Sequence, residues 1–255
     1  MIDEKIFSFV VGDGNMDNYF TIGGYDLQSY ARGDLHWHKL KDPKRWSVNF
    51  TGLKIGEQRI YPSTNIGMVD SGASFLMIPK NDFMQLFNSI KYTHGCNKYY
   101  MAMEIVFCRC TAQTINDFPT IKLIIDEQEY SIPPSTYVSL IHDNQCLLDV
   151  SWQKGWEDVY ILGLPLLENY YTVFDSANGQ IGFARSIHSD PLPTSQESTW
   201  LLSMDTEARR ATFGKACLIS LVPILLWVVF AKAFLNKKKV EPVQKLPNSD
   251  SYTRV

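Results

Sequence analysis

The chain has 255 residues, of which 45% are hydrophobic and 20% charged, with a formal net charge of −3 at pH 7. That composition excludes a disordered, collagen-like or low-complexity protein, and a pI near 6.0 argues against a nucleic-acid partner, whose phosphates call for a basic excess. A mean hydropathy of −0.14 excludes a multi-span membrane protein but allows a single span, because one apolar segment is averaged away.

The first residues, Met-Ile-Asp-Glu-Lys-Ile-Phe-Ser-Phe, do not read as a signal peptide, because two acids precede an apolar run that is too short. Residues 1–187 are strand-rich. Residues 19–22 run into Gly23-Gly24, and 35–40 and 46–51 alternate with period two. His36 and His38 flank Trp37 and share one strand face. With no third ligand at suitable spacing, they read as a solvated face rather than a metal pair. Asn49-Phe50-Thr51 is a glycosylation sequon, with Asn49 as its acceptor.

The next segment, Ile66-Gly-Met-Val-Asp70-Ser71-Gly72-Ala73-Ser74, delivers an acid from an apolar strand into a tight turn before a second apolar run. Gly72 lets the backbone turn closely and leaves the space above the Asp70 carboxylate open. The hydroxyls of Ser71 and Ser74 can hydrogen-bond the acid or the turn. A helix then starts at Pro79, Asn81 and Asp82 and carries Phe83, Leu86, Phe87 and Ile90 on one face. Further on, 121–125 leads through Asp126-Glu127-Gln128 to a strand ending at Ile132, and 171–175 and 180–184 flank the hairpin turn Ser176-Ala-Asn-Gly179.

Residues 188–215 are polar, with Pro191 and Pro193, and read as a stalk. Residues 216–235 read as a transmembrane helix if Lys232 snorkels to the interface. Lys232, Lys237, Lys238 and Lys239 then favour a cytosolic C-terminus. Residues 236–255 form a basic tail in which Tyr252 and Val255 fit sorting or carboxylate-capture signals. Of five cysteines, Cys217 lies in the apolar run; Cys96, Cys108, Cys110 and Cys146 suggest two disulfides with three possible connectivities in a luminal or extracellular domain.

The Asp70 segment resembles the second active-site loop of pepsin-like aspartic proteases. About ninety residues later, Tyr160-Ile-Leu162-Gly163, then 167–175 and 181–184, resemble that family's glycine-bearing strand and closing hairpin. The 21–26 and 33–37 segments resemble the lobe's opening strands, and Phe118-Pro119, 130–134 and Tyr137 its disulfide-closed hairpin. The resemblance covers roughly residues 5–187 and implies a mainly β chain: one lobe of the pepsin-like double-ψ acid-protease fold, with a transmembrane helix after it. It implies that Asp70 is one catalytic aspartate, that Ser71, Gly72, Ala73 and Ser74 shape its loop, and that Leu162 and Gly163 support it. It also implies pairing of Cys110 with Cys146, leaving Cys96 with Cys108.

The family's chemistry needs two such loops facing each other, sharing a proton and binding a water between two carboxylates. Only one Asp-Ser/Thr-Gly occurs here, since Asp13-Gly lacks the middle residue and Asp175-Ser-Ala the glycine. The resemblance therefore implies an aspartic endopeptidase acting on extended polypeptide, with no metal or organic cofactor, whose second Asp-bearing lobe comes from elsewhere. The first expectation is the downstream part of a longer, two-lobed precursor. The alternatives are a catalytically inactive single-lobe membrane glycoprotein that binds peptide or protein, and a homodimer joining two Asp70 side chains. The expected setting is an acidic, endosomal or lysosomal lumen or the cell surface.

Overall fold

The computed structural model describes residues 4–12, 18–101, 103–142 and 144–189. The remainder of the stalk, the 216–235 apolar segment with Cys217, and the tail with Tyr252 and Val255 lie outside the described residues. Among the described residues, no helix is long and apolar enough to cross a membrane.

The chain opens with β1 (Ile6–Val10), β2 (Tyr19–Ile22), β3 (Ala31–Lys39), β4 (Ser47–Ile55), β5 (Gln58–Ile60), β6 (Ile66–Val69) and β7 (Leu76–Met77). It continues with β8 (Asn97–Tyr100), β9 (Glu104–Arg109), β10 (Ile121–Ile125), β11 (Gln128–Ile132), β12 (Val138–His142), β13 (Gln145–Leu148) and β14 (Val150–Ser151). It closes with β15 (Tyr160–Leu162), β16 (Tyr170–Asp175) and β17 (Gln180–Ser186). The helices are short except one: α1 (Leu27–Tyr30), α2 (Lys80–Ile90), α3 (Pro134–Tyr137) and α4 (Leu164–Leu167).

These strands form three sheets, ordered β2-β1-β16-β17-β3, β11-β10-β4-β6-β15-β7-β14 with β5 beside β4, and β12-β13-β9-β8. The middle sheet carries the core. Val48, Phe50, Leu53, Leu76, Ile121, Leu123, Tyr160 and Leu162 lose essentially all exposure. α2 packs the expected face, burying Phe83, Leu86, Phe87 and Ile90, and buries Asp82 as well.

Two turns show how local chemistry sets register. Between β10 and β11 the pair Ile125↔Gln128 leaves only Asp126 and Glu127 in the turn, both with positive φ (46° and 66°), the conformation of a two-residue hairpin. Gln128 therefore starts the second strand rather than belonging to the turn. Between β16 and β17, Gly179 takes φ 60° and the Asn178 N–H donates to the Asp175 carboxylate.

Cys96 is bonded to Cys108 and Cys110 to Cys146, closing spans of 12 and 36 residues. The longer bridge ties the end of β9 to β13 and contributes on the order of 3–4 kcal/mol by restricting the unfolded chain.

Candidate active site

Asp70 stands at the end of β6, where strand pairing stops. The strand reaches it by apolar burial: Val69 is covered, and Gly67 sits so close to Leu162 that a Cβ there would approach its side chain to 3.1 Å. β15 lies between β6 and β7. It pairs in parallel with β6 (Leu162↔Val69) and antiparallel with β7 (Ile161↔Met77), so the strand threads between the two arms of the Asp70 loop.

That threading calls for glycine. A Cβ on Gly163 would stand 2.5 Å from the Phe75 carbonyl oxygen and closer still to that of Ala73. With no side chain there, main-chain bonds close on both sides: the Asp70 N–H donates to Leu162 O (3.1 Å) and the Leu164 N–H to Ala73 O (2.9 Å). Gly163 is the point of close approach between the two segments, and Leu162 is the acceptor that anchors the acid's own amide.

Within the loop, the Gly72 N–H donates to Asp70 Oδ1 at 2.8 Å, and the Ala73 N–H to Asp70 O at 3.3 Å. Ser71, Gly72 and Ser74 are exposed and Ala73 is half-buried. Among the described residues, neither the Ser71 nor the Ser74 hydroxyl bonds the carboxylate; its one partner is the Gly72 amide. Asp70 is itself half-buried, with one oxygen oriented by the Gly72 amide. Such a carboxylate can accept a proton from a water or donate one to a carbonyl oxygen, provided a second group completes the cycle.

Two buried polar clusters were not visible in the sequence. The first is Asp82, 2% exposed, whose Oδ2 accepts from the Ser63 N–H (2.8 Å), the Ser63 hydroxyl (2.8 Å) and the Tyr160 hydroxyl. As read from the sequence, Asp82 merely helps to start α2. The second corrects the reading of His38, which is 3% exposed rather than solvated. Its Nδ1–H donates to Asp126 Oδ2 at 2.9 Å and its Nε2 accepts the Tyr130 hydroxyl at 2.5 Å. Burial holds the imidazole below its ordinary 6.5, with Asp126 opposing that shift. His36 on the same strand is exposed. The physical reason is the fold-back of the β10–β11 turn over β3, bringing in partners 88 and 92 residues away. Asn49 also meets this turn, its Nδ2 donating to Asp126 Oδ1 at 3.0 Å. Among the described residues no cluster of His, Cys, Asp and Glu could hold a metal ion.

Comparison with known proteins follows the same boundaries. The family description "Eukaryotic aspartyl protease" matches residues 1–186. Pepsin F of Oryctolagus cuniculus is 30% identical over 193 residues, covering 73% of this chain and 47% of that protein. Gastricsin of Cavia porcellus is 29% identical over 191 residues, covering 72% of this chain and 46% of that protein. A pregnancy-associated glycoprotein of Ovis aries is 28% identical over 191 residues, covering 73% and 47%. The chain thus spans about half the length of the curated relatives it matches.

Proposed function

The chain belongs to the eukaryotic aspartyl protease family, and from that membership we propose that it supplies one catalytic aspartate, Asp70, of a two-lobed aspartic endopeptidase. The observation that carries the reading is the half-buried Asp70 carboxylate at the mouth of a threaded loop, oriented by a main-chain N–H and still partly exposed to solvent. A second Asp-bearing lobe facing it would place two carboxylates close enough to share one proton and a water. One carboxylate then takes a proton from the water as its oxygen attacks the scissile carbonyl carbon. The other gives its proton to the carbonyl oxygen; as the resulting diol collapses, the first carboxylate passes its new proton to the nitrogen, the second takes one back from a diol hydroxyl, and the peptide C–N bond breaks. The substrate is an extended polypeptide, and Leu162 and Gly163 keep the loop in place while it binds.

The proposal extends to setting. The apolar 216–235 segment would anchor the lobe in a membrane, with the ectodomain in an acidic lumen or at the cell surface and the tail, with Tyr252 and Val255, in the cytosol. The cystine-rich lobe and the basic residues after the apolar run support this orientation. Asn49 is its glycosylation candidate.

A second reading, peptide binding without hydrolysis, is favoured by one observation. Among the described residues, the Asp70 carboxylate has a single hydrogen-bond partner, Gly72, and no second carboxylate beside it. Intact mass of the endogenous protein, reduced and deglycosylated, separates the two. A mass near twice the encoded 29.2 kDa supports a two-lobed enzyme. A mass near 29.2 kDa, with no polypeptide cleaved between pH 3 and 7, supports the binder.

A further inference from the structure

The Asp70 loop is made by three chain segments, and one buried carboxylate touches all three. Ser63 lies just ahead of β6, which ends at Asp70. Asp82 lies in the first turn of α2, which follows the loop's second arm, β7. Tyr160 opens β15, which carries Leu162 and Gly163 into the loop. We infer that the Asp82 carboxylate is a positioning group for the Asp70 loop, locking the register of β15 against β6 from the end opposite the reacting acid.

The register argument is physical. β6 and β15 share only three paired positions, Tyr160↔Gly67, Ile161↔Met68 and Leu162↔Val69. A parallel pair this short has little of its own to resist sliding. Any slide carries Leu162 O away from the Asp70 N–H and drives Gly163 against the carbonyls of Ala73 and Phe75. The Asp82 tie acts at the start of both strands. Ser63 N–H and Oγ hold the chain entering β6, and the Tyr160 hydroxyl holds the first residue of β15, all on one oxygen. A second bond reinforces it, from the Thr64 hydroxyl to Asp158 O at 2.9 Å. Burial and the facing carboxylate raise the Tyr160 hydroxyl far above its ordinary range, so it remains a donor through neutral and acid pH. The ring of Tyr160 stacks on Phe50, centroids 4.0 Å apart, which fixes where the hydroxyl points.

The consequence for catalysis rests on the reading of Asp70 given above, whereas the tie itself does not. The test is amide NMR with hydrogen exchange on the full chain, comparing wild type with Tyr160→Phe, Ser63→Ala and Asp82→Asn. The expected result is a shifted Gly72 amide resonance and about tenfold faster exchange at the Asp70 and Leu164 amides, as for one lost hydrogen bond. Changes confined to residues 61–65 and 80–84, with Gly72, Asp70 and Leu164 unmoved, would overturn the inference. Tyr160→Phe keeps the test decisive if Asp82→Asn fails to fold, because it preserves ring volume and stacking. In a preparation that hydrolyses peptide, Tyr160→Phe is expected to lower kcat by about tenfold to a hundredfold with KM little changed, the signature of a displaced reacting group. Unchanged hydrolysis in Asp70→Asn would sink the catalytic reading and leave the amide result standing.

Discussion

The Asp70 loop and the His38 junction belong to one lobe but are held by different kinds of bond. Around Asp70 the contacts are largely main chain: Asp70 N–H to Leu162 O, Leu164 N–H to Ala73 O, Gly72 N–H to the carboxylate. Around His38 they are side chain to side chain, running from Asp126 through the imidazole to Tyr130, with Asn49 on the far carboxylate oxygen. The amide–carbonyl bonds that close the loop on both sides of β15 persist as pH falls. A junction centred on an imidazole does not, because the protonated ring has no acceptor left for the Tyr130 hydroxyl. The difference separates a loop whose closing main-chain bonds do not titrate from a junction whose cohesion depends on neutral pH.

The largest effect expected is at Gly163. Gly163→Ala would set a methyl against two main-chain carbonyls that cannot rotate away, costing about 3 kcal/mol or more and displacing β15. Urea denaturation at pH 7 measures it. A variant of native stability would mean that the loop is not closed around this strand.

Asp149 sharpens the comparison from the opposite direction. Its carbonyl accepts the Leu76 N–H at the start of β7, and burial pushes its carboxyl up to about 7 from an ordinary 3.8, with the Ser139 hydroxyl opposing. A folded value above the unfolded one means the folded state holds the proton more tightly. Ionisation therefore opposes folding above about pH 7, and this group's contribution improves as pH falls toward about 4. Asp149→Asn is expected to stabilise the lobe at pH 8 by on the order of 2 kcal/mol and to lose that advantage near pH 4. Thermal melts at both pH values check it; an equal effect at both would contradict the assignment.

His38 has the reverse sign. Its folded value lies below the ordinary 6.5, so the unfolded chain binds the proton more tightly. The stability His38 contributes is present above about 6.5 and is lost as pH falls through that value toward the lowered one. His38→Gln is expected to cost about 1 kcal/mol at pH 7.5, with the gap to wild type closing by pH 5. Melts across that range, read beside those of Asp149→Asn, test whether the two groups respond in opposite directions.

The smallest effect concerns the loop itself. Ala73 brings no side-chain donor to the loop, although its own amide reaches the Asp70 carbonyl at 3.3 Å. In an active assembly, Ala73→Thr is expected to add a donor to the ionised acid and move the pH profile of hydrolysis downward by a few tenths to about one unit. An unmoved profile would mean that residue 73 does not reach the acid.

What could be read from the sequence follows the same division. The turn at Asp70 was legible because its requirements are local, an apolar strand, an acid and a glycine turn, whereas the part played by Leu162 and Gly163 was carried by the family resemblance alone. α2 was legible from the spacing of Phe83, Leu86, Phe87 and Ile90. The side-chain clusters were not. Asp82 in a first helical turn looks like an ordinary helix start, and nothing local marks its burial against Ser63 and Tyr160. His38 on an alternating strand looks solvated, because the residues that cover it arrive from β10 and β11. Ser71 and Ser74 carried hydroxyls of the right kind, yet the turn aims the Gly72 amide at the carboxylate instead.

The central claim is that Asp70 performs chemistry. Its most direct test is hydrolysis of an unfolded polypeptide from pH 3 to 7 by the natural assembly purified with wild-type or Asp70→Asn chain. This account expects an acid optimum for wild type and loss of cleavage by at least about a thousandfold in the variant, with the fold intact by circular dichroism. Equal cleavage by the two proteins would contradict it.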